Sequence, residues 1–337
     1  MRCLYPLLIA SVLSFPGNVM AFDQQTLLKV FFSIVQVHTN NGDGKEGFGS
    51  GIVVSNNQVV TNCHVLRKGK TVWVSQGEDA FAAESVQADD WHDLCLLTTS
   101  HLPFSPAEIG SVTSLQNSDQ AFSIGHSSGV YAPTTSRGQI KALYPYEDSL
   151  VIRTSARFAM GASGSGLFND QGQLVGINAF KTFGHRAYFY AMPADWIAAL
   201  ETLPMEPIGP RNKTAFWEDG SRQPYFLQAA LPELQEKWHD LLAISKQWVA
   251  AEPANAEAWY ELGLAQQGIG ERENAHHSFR KATRINPHHG DALFRLGVFA
   301  AERGNREEMR SISVALTQID SDLAENFRKT VGCEADC

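Results

Sequence analysis

The sequence predicts an all-β domain followed by an all-α domain, and three observations carry that prediction. Between residues 32 and 192, short runs rich in valine, isoleucine and aromatic residues are separated by Gly, Asn, Asp, Ser and Pro turns, as in antiparallel barrels and sandwiches. Pro204, Pro207 and Pro210 then prevent a continuous helix. After them, the hydrophobic residues recur with the helical period. With 337 residues, 44% of them hydrophobic, the chain is long enough for two domains that each bury a core.

The chain begins with a short apolar stretch that is typical of a secretory signal peptide. The stretch ends near Phe15, is broken by Pro16 and Gly17, and is followed by small or modest residues up to Ala21. We expect residues 1–21 to be removed by cleavage after Ala21, and the mature protein to be periplasmic or secreted. The alternative, a membrane anchor, would need about 18 or more uninterrupted apolar residues.

The β region, residues 22–202, is expected to hold eleven strands between two short helical segments. The helical segments cover residues 22–30 and 193–202. The strands are expected at residues 32–37, 49–54, 58–61, 71–75, 81–87, 93–98, 120–124, 139–144, 150–154, 173–179 and 187–192. The three prolines place a semi-rigid linker at residues 203–222.

The α region, residues 223–323, contains a repeat pattern, and a C-terminal tail is expected at residues 324–337. The positions W-x2-L-G, A-x3-F, A and P of a 34-residue tetratricopeptide repeat are matched by Trp259, Leu262, Gly263, Ala275, Phe279, Ala282 and Pro287. Gln266 departs from the pattern, which usually has tyrosine there. Eroded copies lie on both sides of this repeat. A short solenoid is therefore predicted, and an ordinary helical bundle is the alternative.

The charge distribution argues against nucleic acid and anionic lipid as partners. The chain has 27 basic and 36 acidic side chains, for a formal net charge of −9. Residues 22–202 carry 11 basic and 16 acidic side chains and residues 203–337 carry 15 and 20, so neither part hides a basic domain. No stretch after the signal is long and apolar enough to span a membrane.

No cofactor and no metal ion are expected. The cysteines and histidines do not have the spacing of a zinc ligand set. His276 and His277 are adjacent on a predicted helix and therefore point apart, and His288 and His289 lie in an inter-repeat turn. We expect both pairs to be solvated.

Three segments of the β region each place a reactive side chain beside an apolar strand. His64 ends a hairpin and turn, Asp93 heads a buried strand, and Ser163 lies in a glycine-dense loop. A serine hydroxyl is a weak nucleophile until an imidazole accepts its proton, and a carboxylate must orient that imidazole. The three residues therefore predict a catalytic triad, with the amides of Gly161 and Ser163 as the oxyanion hole. The alternative is a turn serine, a structural histidine and a strand-capping aspartate.

The order of the three residues along the chain separates classes of serine hydrolase. His64, Asp93 and Ser163 follow the order of chymotrypsin-type barrels, whereas α/β-hydrolases run serine, acid, histidine. The hydrolase motif G-x-S-x-G also fails, because Ser165 stands where it requires glycine. Both observations agree with the all-β prediction.

Four cysteines remain after the signal peptide, an even number in an oxidising compartment. Sequence alone allows three pairings. Cys63 and Cys95 adjoin the residues expected to meet in the triad, and Cys333 and Cys337 form a local pair, so we expect disulfides Cys63–Cys95 and Cys333–Cys337. The alternative for the first pair is two small buried thiols.

Residues 61–65, 93–97 and 161–165 resemble the catalytic motifs of trypsin-like serine proteases, especially the HtrA/Deg-type branch of exported bacterial enzymes. The resemblance covers about residues 24–200 and implies a chymotrypsin-like double β-barrel with its active site between the barrels. The helical repeats stand where HtrA-type enzymes usually carry a PDZ domain. Ala162 replaces the aspartate that binds a new N-terminus in digestive relatives, so activation of that kind is not expected. Arg157 replaces the acid of relatives that cleave after Lys or Arg, so that preference is not expected either.

The sequence thus predicts an exported serine endopeptidase that acts on a protein or peptide substrate. Its helical repeats would recruit a protein partner or the substrate. The alternative is a catalytically silent protease-fold scaffold that binds proteins through the repeats.

Overall fold

The computed structural model describes residues 24–184 and 186–333. Two closed six-stranded β-barrels are followed by an all-helical region. The predicted fold class, a double barrel followed by a repeat-containing helical domain, is therefore confirmed. The predicted signal peptide, residues 1–21, lies outside the described residues. None of the helices in the described part of the chain is long and apolar enough to cross a membrane.

The first barrel closes through the neighbour order β5-β4-β1-β2-β3-β6, with β6 also paired to β5. Its strands are β1 (Ile34–Asn40), β2 (Glu46–Ser55), β3 (Gln58–Thr61), β4 (Thr71–Gln76), β5 (Asp79–Asp89) and β6 (Leu94–Thr99). Helix α1 (Gln24–Phe31) precedes the barrel, and the single turn α2 (Cys63–Leu66) leaves it after β3. The alternating valines of β1, Val35 and Val37, are fully buried, because every second side chain of a strand faces the interior.

The second barrel has the closed order β10-β11-β12-β9-β8-β7. Its strands are β7 (Gln120–Gly125), β8 (Thr134–Tyr146), β9 (Ser149–Thr154), β10 (Gly166–Asn169), β11 (Leu174–Lys181) and β12 (Phe189–Pro193), and the short helix α3 (Ile197–Leu200) follows. Strand β10 is absent from the predicted set. It has only four residues and begins directly after the glycine-dense loop, so it has no periodic pattern of its own.

The predicted linker is packed against the first barrel, and we call its residues 206–222 the strap. It opens with the two-residue strand β13 (Glu206–Pro207), which pairs with β5. The Arg211 guanidinium then binds the Asp90 carboxylate, with nitrogen–oxygen distances of 2.9 and 2.7 Å. Phe216 is fully buried. The prolines stop a helix here, but they are compatible with extended pairing at a sheet edge.

As far as residue 333, where the described part of the chain ends, the helical region consists of seven consecutive helices. They are α4 (Tyr225–Leu234), α5 (Trp238–Ala251), α6 (Ala256–Gly268), α7 (Arg272–Ile285), α8 (Gly290–Glu302), α9 (Arg306–Ile319) and α10 (Ser321–Val331). The clear repeat of the sequence forms the α6–α7 pair, whose apolar residues Ala275, Phe279 and Ala282 are fully buried.

The tail expected from residue 324 is instead helical as far as Val331. Asp320 caps α10 by accepting hydrogen bonds from the amides of Asp322 and Leu323. Phe327 is fully buried and packs edge-on against Phe294 of α8. The amphipathic pattern of α10 lacks the repeat signature. The helical domain expected from the sequence therefore ended too early, at residue 323.

The helical region packs on the second barrel. The rings of Tyr144 in β8 and Phe226 in α4 stack with centroids 4.4 Å apart. Arg153 of β9 lies 3.8 Å from the Glu233 carboxylate of α4. The Gln139 amide donates to Asp320 at 3.1 Å. The barrel and the helices therefore share a buried interface that contains both apolar and charged groups.

Candidate active site

His64 and Asp93 form a tight pair in the first barrel. The Nδ1 atom of His64 lies 2.6 Å from Oδ2 of Asp93, and the His64 amide donates to Oδ1 at 2.9 Å. The Asp93 side chain is 1% exposed, whereas that of His64 is 21% exposed. The carboxylate is thus shielded from water and engages only one edge of the ring, which leaves Nε2 available to accept a proton from a nucleophile.

The segment around Asp93 is arranged to present that carboxylate. Asp93 has a φ of +59°, in the left-handed region that aspartate tolerates better than most residues. Its carbonyl accepts hydrogen bonds from the Asn62 side chain at 2.9 Å and from the Cys63 amide at 3.3 Å. A disulfide joins Cys63 to Cys95, with their Cα atoms 5.0 Å apart. The turn that carries the histidine is therefore attached to the strand that follows the aspartate.

Ser163 lies in the loop between β9 and β10, whose conformation depends on glycine. Gly161 and Gly164 have φ values of +90° and +84°. A Cβ atom on Gly164 would lie 2.1 Å from the Ser50 carbonyl oxygen. Within the part of the chain that the structure describes, no backbone acceptor is hydrogen-bonded to the amides of Gly161 and Ser163. These amides remain free to bind an oxyanion.

The Ser163 hydroxyl donates to the Ala179 carbonyl at 3.3 Å. Among the described residues, it makes no hydrogen bond to His64. Catalytic hydrogen bonds are often long in ligand-free proteins and tighten when substrate binds. A reaction through His64 would require the hydroxyl to turn from the Ala179 carbonyl towards the imidazole.

Ser50, which the sequence did not single out, holds the serine loop on the first barrel. Its amide donates to the Ser163 carbonyl at 2.8 Å, and its hydroxyl donates to the Gly161 carbonyl at 3.0 Å. The same hydroxyl accepts from the His126 amide at 2.9 Å. Ser50 is fully buried in β2. In the sequence, this role of Ser50 is indicated only by the presence of a small polar residue next to a glycine in a buried strand.

The strap adds two further residues to the site, and neither belongs to a recognisable motif. The Trp217 ring lies edge-on to the His64 imidazole, with centroids 5.7 Å apart. The same indole ring stacks on Phe180, the residue after Ala179, with centroids 4.6 Å apart. Glu218 forms a bidentate ion pair with Arg67, one turn after His64. The strap therefore bridges the histidine side of the site to the serine side.

The environment of His64 favours its protonated form. Burial alone would lower the pKa of His64, and the Arg67 charge acts in the same direction. The charge and hydrogen bond of Asp93, with a contribution from Glu218, outweigh these effects and raise the pKa above its usual value. An imidazolium at this position is thereby stabilised, as a general base in a triad would require.

A second histidine–carboxylate pair lies close by in sequence but has a different role. The His92 amide donates to Oδ1 of Asp89 at 3.0 Å, and Nδ1 of His92 lies 2.6 Å from Oδ2. The Nε2 atom of His92 is 3.1 Å from a carboxylate oxygen of Glu147 in the second barrel, and the ring packs 4.1 Å from the Trp196 ring. Burial would lower the pKa of His92, but both carboxylates raise it. With both nitrogens engaged, His92 joins the barrels and accepts no proton from a nucleophile.

Two other histidines do not belong to the candidate triad. His126 is buried, and its Nδ1 atom lies 3.0 Å from the Val130 carbonyl oxygen. The expectation that His289 is solvated is wrong, because its side chain is 3% exposed. Its Nδ1 atom accepts from the Ala292 amide at 3.3 Å and so caps α8, while Nε2 lies 3.4 Å from Glu257. No group of three or more potential metal ligands occurs among residues 24–184 and 186–333.

Comparison with known proteins identifies the two regions. Residues 49–177 match the family model for a trypsin-like peptidase domain, and residues 256–289 match a tetratricopeptide repeat. Each match lies within the corresponding region of the fold. The chain therefore contains a trypsin-like peptidase domain and a tetratricopeptide repeat, and the resemblance drawn from the sequence is confirmed.

Curated relatives match 40–46% of the chain. A magnetosome formation protease, MamE of Paramagnetospirillum magneticum, is 32% identical over 145 residues, which cover 40% of this chain and 20% of the relative. The periplasmic pH-dependent serine endoprotease DegQ of Escherichia coli is 32% identical over 143 residues, covering 40% and 31%. The putative serine protease HhoA of Synechocystis is 27% identical over 168 residues, covering 46% and 42%. The chain thus spans less than half the length of these relatives.

The solved structures that are similar to part of this chain include two proteases. The active form of a protease from M. tuberculosis superposes with a TM-score of 0.49 at 21% identity, covering 64% of this chain and 99% of that one. The HtrA-type protease AlgW with a tripeptide has a TM-score of 0.48 at 22% identity, covering 52% and 61%.

Proposed function

We propose that this chain, which combines a trypsin-like peptidase domain with a tetratricopeptide repeat, is a serine endopeptidase. The observation that carries the proposal is the buried Asp93 carboxylate that engages Nδ1 of His64 and leaves Nε2 free. The glycine-dense loop supports it further, because it presents Ser163 beside two amides that have no backbone acceptor among the described residues. Curated relatives that match part of the chain include a serine endoprotease.

In the proposed reaction, the Ser163 oxygen attacks the carbonyl carbon of the scissile peptide bond. His64 accepts the hydroxyl proton on Nε2 and then delivers it to the leaving amine, while Asp93 orients the ring and stabilises its charged form. The amides of Gly161 and Ser163 bind the oxyanion of the tetrahedral intermediate. A water molecule, activated by His64 in the same way, hydrolyses the acyl-enzyme and restores Ser163.

We further propose that the protein acts after export, in the periplasm or outside the cell. The signal-like residues 1–21 and the Cys63–Cys95 disulfide support this location. Relatives such as DegQ are described as periplasmic. The tetratricopeptide repeat, a module whose stacked helices form extended binding surfaces, supports recruitment of a protein partner or substrate.

The alternative function is a silent scaffold that binds proteins through the repeat. One observation favours it, namely that the Ser163 hydroxyl points to the Ala179 carbonyl and makes no hydrogen bond to His64 among the described residues. Reaction with a fluorophosphonate separates the two functions, because only an activated serine is labelled. We expect stoichiometric labelling of the purified protein and none of Ser163→Ala. A folded wild-type protein that stays unlabelled would support the scaffold.

A further inference from the structure

A large cavity lies between the second barrel and the helices. It has a volume of about 950 Å³ and is open to solvent. The barrel contributes Arg157, Phe158 and Lys181, and the helical region contributes Trp238 and Arg295. The cavity therefore exists only because the two regions are packed together.

The cavity is lined by residues that lead into the serine loop and by residues at the end of β11. Arg157 and Phe158 open the segment that leads to Ser163. Lys181 lies at the end of β11, two residues after Ala179, whose carbonyl accepts from the Ser163 hydroxyl. A polypeptide held at Ser163 would therefore have residues within reach of this cavity.

The cavity carries an excess of positive charge although the chain as a whole is acidic. Its cationic residues are Arg157, Lys181, Arg186 and Arg295, and its acidic residues are Glu233 and Glu236. Glu236 lies 3.6 Å from Arg186, and Glu233 lies 3.8 Å from the buried Arg153 behind the wall. No carboxylate among the described residues forms an ion pair with Arg157, Lys181 or Arg295. Three cations thus remain to attract an anionic ligand.

Aromatic rings beside these cations make the cavity suited to a peptide. Phe158 packs edge-on against Phe189 at 5.1 Å, and Tyr188 lines the same wall. On the helical side, Trp238 covers Gly268, where a Cβ atom would lie 2.2 Å from the indole ring. Apolar walls with a few placed charges are the usual composition of a site that binds an organic ligand.

We propose that this cavity binds acidic side chains of the polypeptide substrate close to the cleaved bond. Arg157 and Lys181 provide cations from the barrel, and Arg295 provides one from the helical region. The helices thereby form one wall of the substrate site and take part in selection of the substrate. This inference rests on the proposed endopeptidase function, because the ligand it names is the substrate of Ser163.

Paired fluorogenic peptides test the proposal in the intact protein. Each pair differs only by Glu or Gln at one position, and the pairs scan both sides of the scissile bond. At one or more positions we expect kcat/KM to be about 10- to 100-fold higher for Glu, the ratio that a charged hydrogen bond typically carries. The ratio should fall as ionic strength rises. A ratio near one at every position would overturn the proposal.

Variants locate the charges that produce this ratio. The double variant Arg157→Glu/Lys181→Glu and the single variant Arg295→Glu should each lower the Glu-to-Gln ratio severalfold or more. Arg306→Glu is the matched control, because Arg306 is an exposed helical arginine outside the cavity. It should keep the wild-type ratio. Because each ratio compares two peptides on one protein sample, partial loss of folded protein does not change it.

Two measurements distinguish failure of this inference from failure of the proposed function. Labelling of wild-type Ser163 by fluorophosphonate together with a Glu-to-Gln ratio near one would reject only the inference. If Ser163 is not labelled, binding of the same peptides to Ser163→Ala, measured by fluorescence anisotropy, tests the cavity without hydrolysis. Preferential binding of the Glu peptides there would support the cavity even though the endopeptidase proposal fails, and equal binding would reject it.

Discussion

Replacement of Asp93 by asparagine should inactivate the protein by fixing the wrong tautomer of His64. Asp93 accepts two hydrogen bonds from the same residue, one from the His64 amide at 2.9 Å and one from Nδ1 at 2.6 Å. Asparagine is isosteric, but it has only one acceptor oxygen, and its amide nitrogen donates. If the oxygen faces the His64 amide, the NH₂ group faces Nδ1. Nδ1 must then accept, so the proton moves to Nε2 and the ring no longer accepts the proton of Ser163.

The opposite orientation of the asparagine is less stable. It would place the NH₂ group against the His64 amide, two donors face to face in a site where Asp93 is 1% exposed. A buried amide without an acceptor costs about 1–3 kcal/mol, so the inactive tautomer should dominate. Loss of the correct tautomer in a triad of this kind reduces kcat by about 10⁴, which corresponds to roughly 5.5 kcal/mol of transition-state stabilisation.

The rate of fluorophosphonate labelling and the kcat for hydrolysis of a fluorescent casein both measure this loss. Asp89→Asn is the matched control, because Asp89 makes the same pair of contacts with His92. We expect Asp89→Asn to keep activity within about tenfold of wild type, the effect of a small distortion rather than of a lost base. A loss below about a hundredfold in Asp93→Asn, or equal losses in the two variants, would refute the assigned roles.

Three further predictions concern the surroundings of the triad. Because Asp93 and Glu218 raise the pKa of His64, activity should be lost as the pH falls through a midpoint above about 6.5. Glu218→Gln should move that midpoint to lower pH, and a pH–rate profile measures both effects. Ser50→Ala leaves a buried carbonyl and a buried amide without their partner, so urea unfolding should report a loss of about 2 kcal/mol or more, with a lower kcat. Replacing Cys63 and Cys95 by alanine removes a cross-link between residues 32 positions apart. The chain-entropy model predicts that the free energy of unfolding then falls by about 4 kcal/mol. An unchanged pH midpoint in Glu218→Gln would contradict the first expectation. Losses of unfolding free energy below about 0.5 kcal/mol, which are typical of surface substitutions, would contradict the other two.

The parts of the molecule that were predictable from the sequence are those with local patterns. Strand alternation and the repeat spacing predict the two regions, and the motifs that contain His64, Asp93 and Ser163 identify these residues as candidates before their positions are known. The Cys63–Cys95 disulfide follows from the expectation that two of those motifs meet.

The contributions of the strap and of Ser50 could not be predicted, because they arise only when distant segments meet. Trp217 contacts His64 from a segment that the prolines mark as a linker. Ser50 has no feature that separates it from other strand serines until the serine loop packs on it. His289 lies in a turn, where solvation is the usual outcome, yet α6 covers it through Glu257. In each case, tertiary packing determines the environment that a local pattern leaves open.

The two aspartate–histidine pairs differ in what occupies the second ring nitrogen, and the proposed function depends on that difference. Asp89 and His92 are three residues apart and form their pair locally, whereas Asp93 and His64 are joined only by the folding of the first barrel. The contacts to Nδ1 are nearly identical in both pairs, so the orienting carboxylate cannot distinguish a base from a structural residue. Glu147 occupies Nε2 of His92, while Nε2 of His64 makes no hydrogen bond among the described residues. A local D-x-x-H pattern therefore indicates an oriented histidine, and a catalytic role also requires that the other nitrogen be left unoccupied by the fold.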